Sequence, residues 1–291
     1  MIKLRPGKRY LVLGSFFIVT LAVALSAIWW IYKDYLDPGE VFWSTIDNNL
    51  ATKGVTKQAT QKTGTTQNLN LTQLIFSPTP KVHYFKEITE SSTSPATVLA
   101  LEGITTLKDD YQHYARIERP GVARQDFSEL YGLWLKNVSG NQSSADIFNN
   151  AMLGPVLFGN LNRPERRGVT DELKKAYTVF FVEKKSGSGG WEYNYEVTIN
   201  LKKYALAVRH YARLVGLPGA DKIASDSYQD SDKLEFIMTV DALAHQLKSI
   251  QNLTADTTEG YSGYGIATEL KIPARTATYQ QFQEALGKIA N

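Results

Sequence analysis

The chain has 291 residues, 32 of them basic and 29 acidic, and no cysteine, which excludes disulfides, thiolate metal sites, cysteine nucleophiles and a lipid carried on cysteine. Five of the basic residues (Lys3, Arg5, Lys8, Arg9 and Lys33) lie in the first 33 positions with no acid among them, leaving 27 against 29, a net of −2, for the rest. The basic character thus belongs to the N-terminal flank and gives no reason to expect nucleic acid as a partner.

Residues 1–10 read as a basic tail. Leu11–Tyr32 follows without a single charge, 22 residues that would form a helix long enough to cross a hydrocarbon core of about 30 Å. Basic residues before it and Asp34, Asp37 and Glu40 after it place the N-terminus in the cytoplasm and the remainder outside. Trp29, Trp30 and Tyr32 then stand at the outer headgroup layer. A cleaved signal peptide is the competing reading, because Ala22-Val-Ala24 and Ser26-Ala27 are small. The apolar run continues through Ile31, past the 7–15 residues of a signal core, which favours a retained anchor.

Residues 33–37 form a short linker, and 38–291 are expected to be one extracytoplasmic α+β domain held close to the bilayer. Asp37-Pro38-Gly39 signals a turn, and Phe42, Trp43, Ile46 and Leu50 recur at helical spacing, giving a helix over 38–52. From Gly54 to Ser139 the period becomes two. Residues 54–68, rich in Thr, Gln and Lys, suit an exposed edge strand or mobile loop. Strands follow around Leu69–Ile75, Val82–Phe85, Ala96–Ile104, Tyr111–Ile117 and Gly132–Val138, with prolines and Pro120-Gly121 between them. Asp126–Tyr131 has room for one helical turn, which the pattern leaves undecided.

Ser143 with Asp146 offers a cap for a helix over 143–159 that ends or bends near Leu153–Gly154, before Pro155. A loop spans Asn160–Arg167, and a short helix starts at Thr170–Lys175. Tyr177–Lys184 and Trp191–Ile199 make a hairpin through Ser186–Gly190, and a helix runs over Asn200–Val215. Lys233–Asp241, Leu243–Leu253 and Tyr261–Ile272 read as strands. Thr278 with Gln281 forms a capping box for a last helix with Phe282, Ala285, Leu286 and Ile289 inward.

This order of elements resembles the periplasmic lipoprotein-carrier fold of LolA and LolB and of the mycobacterial LppX and LprG lipoproteins. The likeness is sharpest over Trp191–Ile199, Asn200–Val215, Leu234–Val240, His245–Ile250 and Ile266–Pro273, including the stretches VDALAHQLKSI and GIATELKIPA. The resemblance implies a curved antiparallel half-barrel whose concave apolar face is covered by helices and admits acyl chains. Unlike those relatives, which are free carriers or are lipid-modified at cysteine, this chain carries an apolar helix.

No catalytic or cofactor-binding motif emerges. His83, His113, His210 and His245 are isolated in sequence, which points to structural or surface roles and no metal site. Asp109, Asp110, Asp230 and Asp232 fit solvated turns. Asn70, Asn137, Asn141 and Asn252 each begin an Asn-x-Ser/Thr triplet, relevant only in a host that glycosylates exported proteins. The aromatic set Trp191, Tyr193, Tyr195, Phe236, Met238 and Tyr264 is either a packed sheet face or the wall of an apolar pocket. Two functions remain open: a non-catalytic envelope protein that binds a lipid or other hydrophobic ligand, or a protein–protein scaffold of the envelope.

Overall fold

The computed structural model describes residues 6–30, 35–92, 94–119, 127–137, 144–187, 190–253 and 257–290. Pro120-Gly121, Asn141 and Ser143, which carry a predicted turn, a triplet and a cap, lie outside them.

Helix α1 (Pro6–Trp30) is 25 residues long. Every side chain described in it, from Phe17 to Trp29, is exposed. Among the described residues no helix is long and apolar enough to cross a membrane.

The body begins at Asp37, whose carboxylate accepts from the Gly39 and Glu40 amides at 2.9 and 3.2 Å and so caps α2 (Pro38–Leu50). Eleven strands then form one antiparallel sheet: β1 (Gly54–Thr63), β2 (Thr66–Ile75), β3 (Lys81–Glu90), β4 (Thr97–Thr106), β5 (Asp110–Glu118), β6 (Leu135–Lys136), β7 (Tyr177–Gly187), β8 (Gly190–Asn200), β9 (Lys233–Asp241), β10 (Gln246–Asn252) and β11 (Thr257–Ser262). Their order is β6-β5-β4-β3-β2-β1-β11-β10-β9-β8-β7, so the sheet is curved but unclosed, with β6 and β7 at its ends. The helices α3 (Ser128–Tyr131), α4 (Ser144–Met152), α5 (Arg163–Ala176), α6 (Leu201–Leu214) and α7 (Tyr279–Ala290) complete the α+β fold.

The main core lies between the inner sheet face and α2, α5 and α6. Phe42, Ile46 and Leu50 of α2, at the spacing of one helical face, are almost wholly buried, each contributing about 1.5–3 kcal/mol by leaving water. They meet Val197, Phe236, Met238 and Val240 from the alternate positions of β8 and β9. A second, smaller cluster packs Leu130, Leu135, Phe282 and Ala285 at the β6 end. There Thr278 and Gln281 close the capping box of α7, at 2.9 and 3.2 Å.

Four sequence expectations are corrected. Residues 54–63 are neither edge nor loop: β1 is the middle strand, paired with both β2 and β11. Its polarity reflects the exposure of its far half, beyond the reach of the covering helices. The helix expected at Thr170 starts at Arg163, inside the supposed loop, because Asn162 and Glu165 form a capping box ahead of it. The strand expected over Tyr261–Ile272 is β11, Thr257–Ser262; Gly263 and Gly265, at φ 65° and 75°, turn the chain out of the sheet. The Ile266–Pro273 stretch is therefore irregular, and it crosses β2 and β3, with contacts from Gln73 to Thr268 and Lys81 to the Leu270 carbonyl. Finally, of the described residues of the strand expected over Gly132–Val138, only the two of β6 are strand, and Val138 lies outside the described residues.

Candidate functional site

The inner face of the sheet differs between its halves. Under α2 it is filled; under α4 it is hollow. Register puts Thr72, Tyr84 and Gly103 in one row across β2, β3 and β4, with Asn70, Lys86 and Leu101 in the next. These rows and Val82, Gln112, Ile147, Asn150 and Ala151 enclose a cavity of about 590 Å³. A second cavity of about 190 Å³ is lined by Leu101, Gln112, His113, Tyr114, Leu135, Tyr279 and Phe282 at the α7 end of the sheet. Leu101 and Gln112 line both, so the two hollows adjoin along the same sheet face.

Helix α4 is the lid of the larger hollow. Phe148 and Met152 form a fully buried stripe that enters the main core, while Ile147 and Ala151, one position earlier, face the cavity. The chain after α4 is fixed by three tyrosines whose hydroxyls donate to its carbonyls: Tyr177 to Pro155 at 2.5 Å, Tyr204 to Gly154 and Tyr211 to Phe158. Burial pushes all three phenols well above their usual range, so they remain donors. Lys57 donates to the Ala151 carbonyl at 3.1 Å, a cation at the C-terminal end of α4. Burial lowers its pKa, and Glu259 opposes that shift.

The cavity floor carries polar groups. Tyr84 Oη and Thr105 Oγ1 donate to the buried Asp110 carboxylate at 3.3 and 2.6 Å, and the Asp110 amide donates to Asn137 Oδ1 at 2.8 Å. Burial, with the Asp110 charge and hydrogen bond, pushes the Tyr84 phenol well above its usual range. The lining is mixed, with Val82, Leu101, Ile147 and Ala151 beside Asn70, Thr72, Lys86, Gln112 and Asn150, and such a lining suits an amphiphilic guest.

Of the six aromatic-face residues singled out in the sequence, Tyr193, Tyr195, Phe236 and Met238 come together, buried beneath α2. Phe42 meets the Tyr195 ring edge-on at 5.3 Å. Trp191 sits at the hairpin end with Lys184 Nζ 3.1 Å from its ring centre. Tyr264 lies outside the strands, its hydroxyl donating to the Leu247 carbonyl at 2.8 Å. None of the six is among the residues lining the two hollows. The lining residues went unnoticed because their inner-facing positions mix Asn70, Thr72 and Lys86 with Val82 and Leu101, which blurs the apolar alternation.

On the outer face, sequence reading also missed a cluster: Glu102 meets His83 Nε2 at 2.7 Å through one oxygen and His113 Nε2 at 3.2 Å through the other. Among the described residues no group of histidine and acidic side chains is arranged to hold a metal ion.

No family model matches the chain, and no curated protein does. It is similar in fold to LprF. The crystal structure of LprF from Mycobacterium bovis aligns over 81% of this chain and 98% of that one, at 11% identity and a TM-score of 0.39.

Proposed function

We propose that the chain is a single-pass, membrane-anchored envelope protein whose extracytoplasmic body binds a lipid or other hydrophobic ligand without transforming it. The observation that carries ligand binding is the hollow of about 590 Å³ between α4 and β2–β5, a size ordinary for small-molecule sites. Anchoring through residues 11–32 is supported by the exposure of Phe17, Ile18, Leu21, Leu25 and Ile28, all apolar and none packed on the body. The basic tail makes the N-terminus the cytoplasmic side.

The test is photo-crosslinking of the full chain in nanodiscs containing a lipid with a diazirine on its acyl chain. Adducts mapped to residues 82–86, 99–103 and 144–152 are expected. Adducts confined to α1 would count against the cavity.

The scaffold reading has one observation in its favour. Phe180 and Val182 are 60% and 53% exposed on β7, the terminal strand of the sheet, where a partner strand could add. Adducts absent from the hollow, together with a stoichiometric protein cross-link at β7, would favour that reading.

A further inference from the structure

Residues 35–38, where the body begins, are held by several contacts. Tyr35 donates through its hydroxyl to the Leu243 carbonyl at 2.8 Å, and its own carbonyl lies 3.1 Å from His245 Nε2. The Tyr35 and His245 rings stack at 4.3 Å. Tyr193 donates to the Leu36 carbonyl at 3.0 Å and Tyr195 to that of Pro38 at 2.8 Å. Residues 35–38 are thus fastened to β8 and to the turn between β9 and β10.

The same end of the sheet exposes apolar side chains. Tyr35 is 40% exposed, Leu243 46%, Phe181 44% and Trp191 37%. Leu243 lies beside the β7–β8 hairpin: its Cδ1 is 2.9 Å from where a Gly190 β-carbon would stand, and the Ala242 amide donates to the Trp191 carbonyl at 2.8 Å, while Phe181 stands further along β7, paired with Tyr195. Phe181 packs at 5.3 Å on Tyr193, whose hydroxyl holds Leu36. Lys184 lies over Trp191, and both Lys184 and Lys185 are exposed.

We propose that Tyr35, Leu243, Trp191 and Phe181, with Lys184, form a bilayer-contact surface that rests in the headgroup layer beside the entry of α1 and fixes the orientation of the body on the membrane. The inference rests on reading α1 as an anchor. Chain length then dictates the occupant: Trp30 and Tyr35 are five residues apart, so the surface lies within about 18 Å of the end of α1. Tryptophan and tyrosine present an apolar body and a polar tip suited to that layer, and lysine stems lie along apolar surface while the ammonium reaches lipid phosphate. The hollow under α4 is carried by the same sheet, so a fixed orientation also fixes where its mouth stands relative to lipid.

The absence of cysteine makes the test direct. Nitroxide labels are placed singly in the full chain at Leu21→Cys in α1, at Leu243→Cys, at Phe181→Cys and at Thr63→Cys, the last at the opposite end of the strands. In nanodiscs with anionic phospholipid, collision with oxygen and with a water-soluble nickel complex reads depth. The expected result is a deep Leu21→Cys label, Leu243→Cys and Phe181→Cys labels at headgroup depth, and an aqueous Thr63→Cys label. The oxygen-to-nickel ratio should be several-fold higher at Leu243→Cys than at Thr63→Cys. Labels at 243 and 181 as aqueous as the one at 63, with the α1 label still deep, would overturn the proposal and leave the anchor standing. An aqueous α1 label would remove the anchor and the proposal together. Labels at 243 and 181 shielded from both reagents and broadened at high protein density would assign the surface to a protein partner and also overturn it.

Discussion

The ring of Tyr84 lies across the backbone of Gly103: a β-carbon added at Gly103 would stand 2.1 Å from Tyr84 Cζ. Only a residue without that carbon lets the ring lie flat on the cavity floor and its hydroxyl reach Asp110. Gly103→Ala is therefore expected to push the ring away, break that hydrogen bond and cost about 1–3 kcal/mol. Urea denaturation of the full chain in detergent measures the loss.

Filling the hollow should separate binding from folding. Ile147 faces the larger cavity from α4, and Ile147→Trp puts an indole into space the native chain leaves open. Its expected effect is a drop of about tenfold or more in yield of acyl crosslinks at residues 82–86 and 99–103. Unfolding midpoints should stay within about 1 kcal/mol of the parent, because no packed side chain is displaced.

Asn49, on α2, is completely buried, and neither side-chain amide atom has a hydrogen-bond partner among the described residues. A buried, unpaired amide costs stability. Asn49→Leu keeps the branching and the number of heavy atoms and removes the polar atoms, so it is expected to stabilise the body by about 1–2 kcal/mol. The same denaturation experiment would show it as a higher midpoint with an unchanged slope.

Removing the tyrosine hydroxyls that fasten the connector should have the opposite sign. Tyr193→Phe orphans the Leu36 main-chain carbonyl and is expected to cost about 1–3 kcal/mol, whereas Tyr195→Phe removes only a second bond to the Pro38 carbonyl, which α2 already engages, and is expected to cost about 0.5–1.5 kcal/mol. Faster hydrogen exchange at residues 35–41 would localise the damage to the join.

Acid sensitivity is expected at His245. Burial lowers its pKa, against the raising effect of the Tyr35 and Ala242 carbonyls and of Asp241. Because the unfolded chain takes up the proton at higher pH than the folded one, this group's stability is intact above about 6.5 and is lost as pH falls through the folded value. One site gives a slope of at most about 1.4 kcal/mol per pH unit. His245 has φ 48°, a conformation asparagine tolerates, so His245→Asn keeps the backbone and should flatten the stability profile between pH 7 and 5 relative to the parent.

What could be read from the sequence followed the strength of local signals. The turn signal at Asp37-Pro38-Gly39, the stripe of α2, the alternation of Trp191–Ile199 and the capping box at Thr278 each act within a few residues, and the elements they mark stand where expected. The place of β1 was hidden because its pairing with β11 is set by residues some two hundred positions away, while its own Thr-Lys-Gln composition speaks only of exposure. The candidate site was missed for a related reason. Apolar alternation marks packed faces such as Tyr193–Val197, whereas a hollow face keeps Asn70, Thr72 and Lys86 among its inward residues and so leaves no stripe. The helix at Arg163 was the avoidable miss, since Asn162 and Glu165 stand in capping register ahead of Val169 and Leu173.

The seam between the first and last strands sets a timetable. β1 leaves the ribosome early, but the neighbour that seals its other side, β11, is made only after nearly everything else. Until then the β1–β2 ribbon presents bare amides and carbonyls to whatever is nearby, and its Thr, Gln and Lys side chains make it a poor template for sticking to other chains. The polar strand that looked like a rim is, for most of biosynthesis, one. Completion of the fold must wait for β11 to come back to β1, a long-range closure of the kind that makes folding slow.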